Sequence, residues 1–133
     1  MVTHGPQHAI TGVLRAVTRP GDTLLTESLS YPGRLALARS MRLQVIGVEM
    51  DDEGMLPDAL DCAAQTFNRC IVFCSPTLHN PTGSSMAMER REAIAAVVRR
   101  RNLLLIEDTV HVAALAHAVP ALCTLVSEQS FLI

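Results

Sequence analysis

Two hydrophobic rhythms alternate along this chain: short unbroken apolar runs, typical of strands covered on both faces, and longer stretches with apolar residues every three or four positions, typical of half-buried helices. Ile10, Val13, Leu14 and Val17 fall at i, i+3, i+4 and i+7 behind Pro6, a residue suited to a first helical turn, and predict a helix after a strand ending at Val2 and Thr3. Arg19-Pro20-Gly21-Asp22 reads as a turn. Thr23 to Glu27 reads as a strand, Ser28 to Gly33 as a loop, about Arg34 to Met41 as a helix, and Leu43 to Glu49 as a strand. Beyond a turn at Asp51-Asp52-Glu53-Gly54, the apolar stripe Leu56, Ala59, Leu60, Ala63, Ala64 and Phe67 marks a helix opening with Pro57. Cys70 to Cys74 is a continuous apolar strand, and Ser75 to Gly83 is a proline-rich loop. A helix over about Ala87 to Arg101 turns Ile94, Val97 and Val98 inward, and Leu103 to Glu107 is the next strand. A helical turn near Val112 to His117 and a last strand at Ser130 to Ile133 complete the pattern. Without repeats or low-complexity linkers, this alternation predicts an α/β fold of three layers, αβα, around a mainly parallel sheet.

Composition narrows the chemistry. The 133 residues suit one domain, and 49% hydrophobic content with three Phe, one Tyr and no Trp predicts an aliphatic core. All eleven basic residues are arginine, which rules out a lysine Schiff base, a P-loop lysine or a lysine general base within this chain. A net charge of −2 favours neither nucleic acid nor an anionic membrane as partner. Cys62, Cys70, Cys74 and Cys123 lack C-x-x-C spacing and follow no secretory signal, so they read as reduced core cysteines of a cytoplasmic protein. The uncharged run Thr109 to Ser127 contains His111, His117 and Pro120, and alanine is its commonest residue, which argues against a membrane span. The chain opens one residue into an apparent strand and stops on Phe131-Leu132-Ile133, the expectation being a fragment.

Ligands of an open parallel sheet bind beyond the carboxyl ends of its strands, and four polar or irregular segments fall there. Thr3 to Gln7 turns through Gly5 into a helix, a geometry for a phosphate or simply a βα turn. Tyr31, before Pro32-Gly33, either stacks on a planar ligand or packs as core. His79-Asn80-Pro81-Thr82-Gly83 demands a tight loop, with or without a cis proline, and aims Asn80 at the rim. Leu103 to Asp108 ends a buried strand in two carboxylates, of which Asp108 either caps the next turn or pairs with a protonated heterocycle nitrogen. His4 and His8 have the spacing of a metal pair but no third ligand, Cys70 and Cys74 share a strand face as core, and Arg99 to Arg101 reads as a solvated helix terminus. No Gly-x-Gly-x-x-Gly fingerprint supports a dinucleotide-binding domain.

Taken in order, Thr3-His4-Gly5-Pro6-Gln7-His8-Ala9, Pro20-Gly21-Asp22, Ser30-Tyr31-Pro32-Gly33, Pro76 to Gly83 and Leu105-Ile106-Glu107-Asp108 resemble the large domain of fold-type I pyridoxal-phosphate enzymes, the class I/II aminotransferases. The Pro-Thr-Leu-His-Asn-Pro-Thr-Gly and Ile-Glu-Asp strings look most like the aminotransferase-like domain of MocR-type regulators. The resemblance implies pyridoxal 5′-phosphate as cofactor, with its phosphate at Gly5 and Gln7 and Tyr31 stacked on its ring. It implies Asn80 on the ring-hydroxyl oxygen and Asp108 on the pyridine nitrogen. Three departures follow: Pro6 removes a phosphate-facing N–H, His111 stands where the family usually has tyrosine, and the Schiff-base lysine would follow Ile133. On this reading residues 1–133 are a partial large domain without a catalytic residue of their own, lacking the lysine-bearing segment, the small domain and a strand next to the last one present. The intact parent would transaminate amino acids and keto acids, or sense effector and cofactor in a regulator, commonly as a homodimer.

Overall fold

The computed structural model describes residues 3–111 and 119–133. Helix α1 (Pro6–Val17) is followed by β1 (Thr23–Glu27), α2 (Pro32–Ser40), β2 (Gln44–Val48), the short pair β3 (Met50–Asp51) and β4 (Gly54–Met55), and α3 (Pro57–Thr66). Then come β5 (Cys70–Cys74), α4 (Met88–Arg100), β6 (Leu104–Glu107), a kinked 3-10 segment (Leu122–Gln129) and β7 (Ser130–Leu132). The main sheet has the order β2-β1-β5-β6-β7 and is parallel throughout.

Strand alternation divides the core between the two sheet faces. Leu24, Ile71, Phe73 and Ile106 pack with Ile10, Val13 and Leu14 of α1 and Ala38 of α2. The intervening Leu25, Val72, Cys74 and Leu105 pack on the other face with Leu60 of α3 and Ile94, Ala95, Val97 and Val98 of α4. The expected three-layer α/β architecture is therefore present, with β1 buried at every position.

The differences in detail have local causes. Helix α2 starts at Pro32 rather than near Arg34, because proline at the first helical position already holds the required φ and has no N–H to leave unpaired. The acidic turn forms the tip of the β3–β4 hairpin, where Gly54 takes a φ of 103° and Arg90 grips Asp51 at 2.7 Å. Thr3 belongs to no strand, while Val2 and the turn expected at Val112 to His117 lie outside the described residues. The 3-10 segment has no counterpart in the apolar spacing: the buried Glu107 carboxylate accepts the Leu122 and Cys123 N–H groups at 3.1 and 2.6 Å and draws this stretch onto β6. The cysteines also divide, with Cys74 and Cys123 buried, Cys70 half-buried and Cys62 exposed on α3, so Cys62 is no core residue. No described helix is long and apolar enough to cross a membrane.

Candidate functional site

Parallel register brings the carboxyl ends of β1, β5 and β6 to one rim, ending in Glu27, Cys74 and Glu107. Above them opens a cleft of about 290 Å³ whose lining includes Gln7, Tyr31, Asn80, Asp108 and His111. These residues come from four separate segments, so the sheet, rather than local sequence, brings them together. Gly5 stands apart from that lining. With φ 98° it is the N-cap of α1, and it borders a neighbouring apolar groove of about 750 Å³ with Phe131 and Leu132 of the edge strand.

Each polar position has a local support. The Asn80–Pro81 peptide is cis, and the loop around it closes through His79 N–H to Ser84 O at 2.8 Å and a His79 Nδ1 contact with Thr82 Oγ1 at 2.8 Å. Tyr31 is the N-cap of α2, 43% exposed, and its ring lies so close over Gly33 that a Cβ there would overlap its Cε1. The Gln7 amide nitrogen borders the same spot at 3.0 Å. Asp108 receives the Val110 N–H at 3.1 Å on Oδ1, the turn-capping contact, and an arginine on Oδ2.

That arginine, Arg34, is the residue that motif reading missed. It is 2% exposed, and its Nη2 donates to Asp108 Oδ2 at 2.9 Å and to Ser75 Oγ at 3.0 Å. Its Nη1 donates to Ser30 Oγ at 3.1 Å and lies 3.6 Å from Glu27 Oε2, while its guanidinium carbon stands 3.9 Å above the Phe73 ring. Glu27 in turn accepts the Ser75 N–H at 2.7 Å and the Thr26 hydroxyl at 3.1 Å. Beneath lies a second buried pair: Arg91 stands 3.7 Å from Glu107 and donates to Pro76 O at 2.9 Å and Thr77 Oγ1 at 2.7 Å, tying the base of the Asn80 loop to α4. Burial lowers the Arg91 pKa against the opposing pull of Glu107, and burial, reinforced by the Glu27 and Glu107 charges, raises that of Cys74.

Other candidates fall elsewhere. The His4 and His8 rings stack 5.7 Å apart, and no cluster with metal-ligand potential occurs among the described residues. Arg100 and Arg101 are not simply solvated: both bind Asp61 of α3, at 2.8 and 2.7 Å, while Arg99 donates to Leu125 O.

The aminotransferase class I and II family model matches residues 1–132. The chain is 34% identical over 114 residues to aminotransferase swnA of Metarhizium robertsii, covering 80% of this chain and 23% of that protein. It is 30% identical over 129 residues to the HTH-type transcriptional regulator YdeF of Bacillus subtilis, covering 97% of this chain and 28% of the regulator. An archaeal alanine:glyoxylate aminotransferase superposes with a TM-score of 0.91 at 28% identity, over 98% of this chain and 34% of that one. The chain thus spans about a quarter to a third of the length of these relatives. On sequence and fold together, it belongs to the aminotransferase class I and II family.

Proposed function

We propose that the rim cleft is the ring-binding part of a pyridoxal 5′-phosphate site. The observation that carries this reading is the meeting of a carboxylate, an amide and an aromatic ring, Asp108, Asn80 and Tyr31, around one cleft of about 290 Å³. This donor set fits a flat, polar heterocycle: the carboxylate takes a ring N–H, the amide takes or gives a bond at the ring oxygen, and the phenol ring covers one face. His111 lines the same cleft and offers a further donor to the ring oxygen. The phosphate end is leaner. Gln7 and the first-turn N–H groups of α1 border it, Pro6 contributes none, and Gly5 provides the positive-φ turn into the helix.

When bound, the cofactor supplies an electron sink for charge developing at an amino-acid α-carbon. In that chemistry Asp108 holds a proton at the ring nitrogen, Asn80 orients the ring hydroxyl, and Tyr31 excludes water from one face. This chain has no lysine, so neither covalent attachment through a lysine nor lysine proton transfer is among the tasks of its own residues. Transamination of an amino acid with a keto acid, in a cytoplasmic homodimer, is the proposal for a whole protein in which residues 1–133 form part of the large domain. A second reading has a specific support: the YdeF match runs over 97% of this chain, which suits a regulator whose aminotransferase-like domain senses cofactor or amino acid.

Tyr31 is the only tyrosine and there is no tryptophan, so intrinsic fluorescence reports on the cleft alone. Pyridoxamine 5′-phosphate, which needs no lysine, is expected to quench Tyr31 saturably. Asp108→Ala and Asn80→Ala are each expected to weaken binding about tenfold, the worth of one hydrogen bond to a charged or polar group. An emission indifferent to the ligand, or equal affinity in all three proteins, contradicts the assignment.

A further inference from the structure

One guanidinium serves two carboxylates beneath the cleft. Arg34 lies 2.9 Å from Asp108 and 3.6 Å from Glu27, with both Arg34 and Glu27 almost fully buried and Asp108 at the cleft wall. Counted formally, the cluster is one positive charge short. Two further titratable groups face it: Cys74, whose pKa is raised by burial and by the Glu27 charge, and His79, whose Nε2 lies 4.0 Å from Glu27 Oε2 without a hydrogen-bond partner. Glu27 is not a lining residue of the cleft, and its oxygens are already engaged by Ser75, Thr26 and Arg34. A buried carboxylate so placed draws part of the arginine's charge away from Asp108.

We propose that Glu27 is a specificity-determining positioning residue: by sharing Arg34 with Asp108 it leaves the cleft carboxylate under-neutralised, so that the site selects ligands presenting a cationic ring N–H at that wall. This rests on the cofactor reading and adds to it the source of the selectivity, a residue that never touches the ligand. A purely structural Glu27, serving only to anchor the Ser75 N–H, would affect all ligands of the same shape alike.

The test compares pyridoxamine 5′-phosphate with its 1-deaza analogue, in which carbon replaces the ring nitrogen, using Tyr31 quenching for both. The native chain is expected to prefer the nitrogen-bearing ligand by about tenfold or more, the worth of a charge-assisted hydrogen bond. In Glu27→Gln, close in shape but uncharged, the preference is expected to fall about tenfold, the effect of removing one buried charge that shares a guanidinium with the cleft carboxylate. Glu27→Asp, which disturbs the packing at least as much but keeps the charge, is expected to retain it. An unchanged preference in Glu27→Gln, or an equal loss in Glu27→Asp, overturns the role of Glu27 and leaves the cofactor site standing. A native chain that binds neither ligand overturns both.

Discussion

At the scale of single residues, the acidic ends of two strands carry the most information. Glu27 and Glu107 each close a strand that is otherwise uncharged and largely buried, and a carboxylate in such a place needs a cation of its own. Both find arginine, the only strongly basic residue type this chain uses. That pairing was latent in the sequence, yet nothing local showed which of eleven arginines would serve, because Arg34 and Arg91 sit on helices that read as ordinary amphipathic surfaces. That Tyr31, Asn80 and Asp108 would meet at one rim was legible because their motifs fix loop shape. Gly33 shows the same coupling at one atom: any Cβ there collides with the Tyr31 ring. Gly33→Ala is therefore expected to displace Tyr31, raising its acrylamide quenching and weakening pyridoxamine 5′-phosphate by about tenfold, the scale of a lost aromatic stack. Unaltered quenching and affinity would show that the ring is not held by this contact.

At the scale of elements, periodicity located the helices and strands to within a few residues, since burial on one or two faces writes itself directly into the apolar spacing. Where it fell short, tertiary contacts decide: the 3-10 segment follows from Glu107 capturing two N–H groups, and no spacing encodes that. Two joints between elements make testable claims. Arg91→Met strands Glu107 in the core and is expected to cost about 3–5 kcal/mol in urea denaturation, whereas Arg91→Met with Glu107→Gln costs less than the two single changes summed. Simple additivity would mean the pair does not act jointly. Between α3 and α4, the hydrogen bonds from Arg101 and then Arg100 hold the Asp61 carboxyl well below the usual carboxylate range. Because the folded pKa is depressed, the contribution is complete above the unfolded value of about 4 and is lost as pH falls toward the folded one. The stability gap between the native chain and Asp61→Asn should therefore hold from neutral pH to about 5 and shrink below about 4; a gap that widens on acidification contradicts the clasp.

At the scale of the whole molecule, helix–strand alternation was enough to imply three layers, and parallel register was enough to imply one shared rim. The sequence could not reveal the electrostatic floor beneath that rim, because bonded partners such as Arg34 and Asp108 stand 74 positions apart and meet only through the fold. Burial also sorts the thiols. Cys74 is pushed well above the usual range and Cys123 up to about 11 by burial and the Glu107 charge, while Cys62 is exposed. Iodoacetamide at pH 8 should modify Cys62 first and spare Cys74 and Cys123 until the chain unfolds; early labelling of either would contradict this core.

The central claim, that Asp108 at the rim holds a cofactor ring through its nitrogen, is read most directly by the ¹⁵N NMR shift of ring-labelled pyridoxamine 5′-phosphate bound to the chain. The account predicts the shift of a protonated pyridine at a pH where the free ligand's ring nitrogen is neutral, lost in Asp108→Asn. A bound ligand with the neutral-ring shift, or one unaffected by Asp108→Asn, would contradict it.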